Sequence, residues 1–186
     1  MDKAQRIANK QKQISISEFF EKNKHFLGFD THQRAIITAV KEAVDNSLDA
    51  CEEGRILPEI HVFIKRLEGG NLELITQDNG PGIPRDSIAN VFGKFLLGSR
   101  FHAIRQTRGQ QGIGITGVVM YSQLTTGSLT TVMSKIEAES TAVRVNLALD
   151  TKNNRALKSN EERIPLEDWF RESGIESLHG LRIRTV

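Results

Sequence analysis

A single cysteine, Cys51, occurs among 186 residues. No disulfide can therefore form within the chain, and a reducing compartment is the natural setting. One cysteine and five scattered histidines also fall short of a structural zinc site, which needs four ligands at short spacings. No apolar run approaches the roughly 20 residues needed to span a bilayer. The polar stretch Met1 to Gln13 has no apolar region of the kind a secretory signal requires. The expectation is a cytoplasmic protein with no membrane association. An excess of charge of one sign is missing too: 25 basic and 23 acidic residues leave a net charge of +2. The chain as a whole thus carries no electrostatic footprint for nucleic acid.

What is present is ordinary for a globular protein: 38% hydrophobic and 26% charged residues, in a chain long enough for one domain with a proper core. Residues 1–30 read as an N-terminal arm, polar but with apolar anchors at Ile14, Ile16, Phe19, Phe20, Phe26 and Phe29. These suit a short helix and a strand packed on the domain's own core. Residues 31–186 read as one domain. Thr31 to Glu53 is predicted as a long helix, with Asp30 or Thr31 as N-cap and Gly54 as the stop. Its apolar face is read as Ile37, Val40, Val44, Leu48 and Cys51. Glu59–Lys65 alternates, Leu72–Thr76 is a second strand, and Gly69-Gly70-Asn71 between them signals a hairpin. Arg85 to about Leu97 looks helical with an interruption at Gly93. Gly98–Gly114 is a polar, basic loop, and Ile115–Tyr121 a short apolar helix. Thr130–Asp150 is mostly strand, Thr151–Glu161 a polar hairpin or loop, Pro165–Glu172 a short helix, and Leu181–Val186 a last strand. This order segregates helices from a mostly antiparallel sheet and predicts an α+β fold in two layers. A chain ending on an apolar strand is expected to continue beyond Val186.

Three groups of residues carry chemistry. Glu42, Asn46 and Asp49 recur at spacings of four and three, which places them on one helical face, opposite Val40, Val44 and Leu48. Oxygen donors of this kind suit Mg²⁺, which combines a few protein ligands with phosphates and waters. Asp78-Asn79-Gly80-Pro81-Gly82-Ile83 comes directly after a strand. By itself it is a turn, although a carboxylate at a strand end beside glycines can also accept from an exocyclic amine. Arg108-Gly109-Gln110-Gln111-Gly112-Ile113-Gly114-Ile115-Thr116 precedes a helix, where free backbone N–H groups and the helix dipole favour phosphate. Gly112, Gly114 and Gly117 match the dinucleotide fingerprint, but they come after a basic loop and open no βαβ unit, which excludes that reading. Walker A is absent, since Gly93-Lys94 is followed by Phe95.

The three boxes together, in this order, resemble the ATP site of the Bergerat (GHKL) family, which includes gyrase, MutL, the heat-shock chaperone ATPase and histidine kinases. KEAVDNSLDACEEGRILPEI, DNGPGI and KFLLGSRFHAIRQTRGQQGIGITGVVMYSQ are most similar to the B subunits of type IIB DNA topoisomerases, topoisomerase VI. The resemblance is strong from about Phe19 to Gln123 and returns at His179-Gly180. It implies a two-layer α/β sandwich with helices on one face of a mostly antiparallel mixed sheet. It implies Glu42 as the base that polarises the attacking water, and Asn46 as a ligand of Mg²⁺. Asp78 would bind the adenine amino group with Gly82 below the ring, Ser99 and Arg100 would line the nucleotide, and the stretch Arg108 to Thr116 would wrap the triphosphate. Asp49 would orient the helix or hold an outer-shell water, without a catalytic role. ATP binding would close two B subunits as a homodimer, with the N-terminal arm crossing over. DNA would be met through the holoenzyme and cut by the topoisomerase VI A subunit. Tyr121, the single tyrosine, is expected in the core and is no cleavage nucleophile. Many relatives carry Gly-Thr in the last strand, whereas here Gly180 is followed by Leu181. A nucleotide-dependent dimerisation module with little turnover and a MutL-type repair ATPase are the alternatives, the lid sequence arguing against the second.

Overall fold

The computed structural model describes residues 16–93, 114–151, 153 and 155–186. Helix α1 (Ile16–Leu27) buries Phe20 completely and sets it against Phe29, with ring centroids 5.4 Å apart. The described part of the N-terminal arm is thus a helix on the domain's own core. The strand expected beside it does not occur among the described residues.

Helix α2 (His32–Gly54) begins at Thr31, whose side chain accepts from the Arg34 N–H. This supplies one of the first-turn donors with a partner. Gly54 is the last helical residue, and Arg55 takes the left-handed conformation at φ 55°. Its N–H and that of Ile56 return to the Glu52 and Cys51 carbonyls. The buried stripe of α2 differs from the one its large apolar residues suggest. Ala35, Ala39, Ala43, Ser47 and Cys51 are buried, whereas Ile37 is 67% exposed. Small side chains let the helix axis approach the sheet and its neighbouring helix closely, so the wide residues stand at the flanks. Glu42 and Asn46, each three residues on from a buried alanine, therefore border the packed stripe instead of standing opposite it.

Beyond α2 the described residues form six strands: β1 (Ile60–Arg66), β2 (Leu72–Asp78), β3 (Thr130–Lys135), β4 (Ala142–Asp150), β5 (Arg155–Ile164) and β6 (Gly180–Thr185). They make one sheet in the order β1-β2-β6-β3-β4-β5, and every pairing in it is antiparallel. The last strand in sequence lies near the centre, so residues 72–78 and 180–185 are neighbours although about a hundred residues separate them. The stretch from Thr151, expected as a polar hairpin or loop, is largely strand β5, the second arm of a hairpin with β4. Its side chains are almost all exposed, so it lacks the alternation that announces a strand. Its backbone bonds to β4 and the bulge between Arg144 and Asn146 hold it in place.

On one face, Leu74, Val132, Val143, Val145, Leu147, Leu149 and Ile183 pack under α1, α2, α3 (Ile88–Gly93) and α4 (Gly114–Thr126). Helix α3 is preceded by a single 3₁₀ turn, Arg85–Ser87, and buries Ile88 and Phe92. A smaller core of Met133, Ala142, Ile164 and Trp169 forms under α5 (Leu166–Ser173). The Trp169 indole N–H donates to the Ser177 carbonyl at 2.8 Å. None of the described helices is long and apolar enough to cross a membrane.

Candidate functional site

Strand β2 ends on Asp78, and its surroundings are built to hold that carboxylate. Asp78 is 3% exposed. Ser47 of α2 donates its hydroxyl to Oδ2 at 2.7 Å, and the Gly80 N–H donates to Oδ1 at 2.9 Å. Burial pushes the carboxyl above its ordinary pKa, while the Ser47 hydroxyl and the Gly80 and Leu181 N–H groups pull it back in part. A carboxylate this buried, with hydrogen bonds to neutral donors and no cation among them, costs free energy at neutral pH unless a ligand offsets it.

The turn after Asp78 is fastened on both sides. The Asn79 amide donates to the Leu57 carbonyl at 3.0 Å, and its Oδ1 accepts from the Glu59 N–H at 2.9 Å. This asparagine is a structural staple. His179 Nδ1 lies 2.9 Å from both the Asn79 and Gly80 carbonyls. Two carbonyl acceptors require Nδ1 to carry the proton. Ser134 clamps the far end of the turn, accepting from the Ile83 N–H at 2.7 Å and donating to the Ile83 carbonyl at 2.9 Å.

Gly82 sits at φ +72°, and a Cβ there would lie 2.1 Å from the Lys135 carbonyl oxygen and 3.1 Å from that of Gly180. Both obstacles are backbone. Lys135 is itself buried, with Nζ donating to the carbonyls of Ile136, Glu139 and Leu178, so it cannot yield cheaply. Gly82→Ala is expected to lower stability by about 3 kcal/mol, or roughly 10 °C in Tm, from left-handed strain plus the clash. A thermal melt within a few degrees of the parent would contradict this.

The second half of the site lies where α2 meets the start of α4. A Cβ on Gly114 would fall 1.9 Å from Glu42 Oε2, so the Glu42 carboxylate lies directly against Gly114, and a larger residue there would push it aside. Burial is the main influence on Glu42 and raises its pKa. Lys41, with Nζ 3.6 Å from Oε1, lowers it, and Asp45 adds a smaller upward push. One turn on, the Asn46 amide donates to the Glu42 backbone carbonyl at 2.7 Å. Its donor end is thereby committed, and the carbonyl oxygen Oδ1 is the atom left to ligate a cation. Asp49 is buried.

The structure thus brings together Glu42, Asn46 and Asp78, with Gly82 and Gly114 at the points of closest approach. Ile115 packs against the core and Thr116 is buried, so contacts from these two to a ligand are left to the backbone. Ser99, Arg100, Arg108, Gly109, Gln110, Gln111, Gly112 and Ile113 lie outside the described residues. Leu181 pairs with Asp78 across β2 and β6 and packs on the core, at the place where many relatives are read to carry threonine. Two residues of the site went unread in the sequence. Ser47 had one available signal, a hydroxyl on the buried stripe of a helix that also carries Glu42 and Asn46. His179 had only the return of the resemblance at His179-Gly180, and its role stayed hidden because its partners are backbone carbonyls about a hundred residues away.

A family model described as "Histidine kinase-, DNA gyrase B-, and HSP90-like ATPase" matches residues 31–151. The chain is 53% identical over 168 residues to the B subunit of type 2 DNA topoisomerase 6 from Archaeoglobus fulgidus, covering 90% of this chain and 27% of that protein. Its identity to the protein of the same name from Natronomonas pharaonis is 51% over 180 residues, with 97% and 21% covered. The chain therefore spans about a quarter of the length of these relatives. Its fold is similar to the ATPase region of Saccharomyces cerevisiae topoisomerase II bound to ICRF-187 (dexrazoxane). There the TM-score is 0.63 at 12% identity, over 96% of this chain and 50% of the other.

Proposed function

The chain belongs to the histidine kinase-, DNA gyrase B- and HSP90-like ATPase family, and from that premise we propose that it is the ATP-binding part of a topoisomerase VI-type B subunit. The observation that carries the reading is that one helix, α2, reaches Asp78 through Ser47 and Gly114 through Glu42. A buried, neutral-paired carboxylate, Asp78, stands at one end. A second carboxylate, Glu42, lies against Gly114 at the other.

The roles derive from the chemistry of each group. Asp78 accepts from the exocyclic amine of adenine, and Gly82 keeps the floor beneath the ring flat. The first turn of α4, together with the stretch from Arg108 to Ile113, receives the phosphates, with Ser99 and Arg100 lining the nucleotide. Asn46 Oδ1 ligates Mg²⁺, which neutralises phosphate charge when bound. Glu42 orients the attacking water and takes its proton. In the longer protein, ATP binding joins two B subunits, and the resulting gate controls DNA passage while a partner A subunit cleaves.

The test is calorimetric titration of a non-hydrolysable ATP analogue with Mg²⁺ into the chain. Binding is expected for the parent and a loss of roughly tenfold or more for Asn46→Ala. A parent that does not bind, alone or within a longer chain, removes the reading.

Turnover also has an expected pH dependence. Glu42 works only when ionised, and burial raises its pKa, so activity falls as pH drops through a value above the ordinary carboxylate range. The same shift means that the native state holds this proton more tightly than the unfolded chain. Glu42 therefore favours folding at low pH, and that contribution fades as pH rises through its raised pKa. An acid limb of the rate profile at the pKa of an ordinary exposed glutamate would show that Glu42 is not the base.

A further inference from the structure

Lys135, the last residue of β3, is the most deeply buried charged side chain among the described residues, at 2% exposure. An ammonium has three N–H donors, and all three are used. They go to the carbonyls of Ile136 and Glu139, each at 2.6 Å, and of Leu178 at 2.9 Å. Each of these acceptors is a neutral backbone group. Burial lowers the lysine pKa, and the nearby Glu139 and Glu137 offset this in part. A charge held this way costs free energy. Joining two segments does not require one: Asn79 and Gln123 do so elsewhere in this molecule with neutral amides.

The segments that Lys135 gathers are those that bound the turn after Asp78. Ile136 and Glu139 belong to the β3–β4 connection. Leu178 directly precedes His179, which donates to the Asn79 and Gly80 carbonyls. Gly180 comes next and pairs with Lys135 across β6 and β3. The Lys135 and Gly180 carbonyls are the two oxygens that close on Gly82, and a Cβ on Gly180 would itself fall 2.3 Å from the Asp78 carbonyl oxygen. Residues 178–180 therefore have no slack between the ammonium on one side and the turn on the other. A charged donor also makes shorter and stronger bonds than a neutral one, so it fixes those residues more tightly than an amide would.

We propose that Lys135 is a positioning residue for nucleotide binding: by drawing in the Leu178 carbonyl it sets the height of His179 and Gly180, and through them the depth at which Asp78 and Gly82 stand. The inference rests on reading the Asp78 end as an adenine site. The test is Lys135→Met, which keeps the length of the side chain and loses all three donors, with its folding checked by circular dichroism. Affinity for the ATP analogue is expected to fall about tenfold. KM should rise by the same factor while kcat stays within about twofold, because Glu42 stands at the other end of the site. Combined with His179→Ala, the loss should be smaller than the product of the two single losses, since both act on one linkage. Unaltered affinity in a folded Lys135→Met overturns the inference, as does a fall in kcat matching the rise in KM, or independent effects in the double variant. A parent that does not bind removes the adenine reading and this inference with it, whereas a binding parent with an unaltered variant removes this inference alone. If Lys135→Met does not fold, Lys135→Gln, which keeps two donors, takes its place and is judged by the same results.

Discussion

Asp78→Asn is expected to lower affinity for an ATP analogue by about 100-fold, the scale of one charge-assisted hydrogen bond lost in a buried site, while leaving Tm unchanged or raised. The two halves of this result come from one fact. Asp78 is buried, and its hydrogen-bond partners are neutral. Its pKa is raised chiefly by that burial, so between the unfolded and folded values the native state binds more protons than the unfolded chain. Its contribution to stability is therefore greatest at low pH and declines as pH rises through the raised pKa. At neutral pH the charge is a liability to the fold. Asparagine keeps the shape and an acceptor for the Gly80 N–H, and turns its amide toward the Ser47 oxygen, without the charge. An exocyclic amine then meets an amide donor where it needs an acceptor. Calorimetry paired with a thermal melt reads both effects. A variant that loses stability in proportion to affinity would make Asp78 a structural residue only, and unaltered binding would remove it from the site.

Glu42→Ala has the second large effect: turnover falls at least 100-fold, about the lower part of the range for a positioned base, while analogue binding stays within a few fold of the parent. The expectation rests on where the carboxylate stands. It lies against Gly114, next in sequence to the stretch from Arg108 to Ile113 that is proposed to receive the phosphates. Removing its charge takes a like charge away from the phosphates, so binding need not suffer, whereas proton transfer has no replacement. A phosphate-release assay beside calorimetry separates the two. If turnover survives, the water is activated by another group. If binding collapses along with turnover, Glu42 holds α4 in place and is not a base. Gly114→Ala gives an independent check, because its methyl would displace the same carboxylate and should depress turnover without touching the adenine end.

Much of the fold and site was legible in the sequence, and the remainder was hidden for identifiable reasons. The spacings of Glu42 with Asn46, and of Asp78 with Gly80 and Gly82, could be read because a helix turn and a tight turn are local. Of the apolar face read on α2, Cys51 is buried and Val40 packs against the core, while Ile37 stands exposed and the centre of the buried stripe is alanine. Helix–sheet distance is set by the smallest residues, Ala35, Ala39 and Ala43, which hydrophobic patterning weighs least. Strand β5 escaped because an exposed edge strand, held by its backbone, need not alternate. The boundary at Gly54 was nearly right, but Arg55 took the left-handed turn expected of a glycine.

The amino-acid sequence by itself determined the class of fold, the three boxes and the residue types able to bind a purine, a cation and phosphate, since each depends on neighbours within a few positions. Only the tertiary structure decided that Ser47 and Leu181 would flank Asp78, that Gly114 would make room for Glu42, and that His179 would clamp the turn at Asn79 and Gly80. Those pairings cross from 31 residues of chain (Ser47 to Asp78) to 103 (181 − 78, Asp78 to Leu181). The pairings of Leu181 and His179 exist because β6 inserts beside β2, the others because α2 packs on the sheet and on α4, and no periodicity along the chain records which elements will lie side by side.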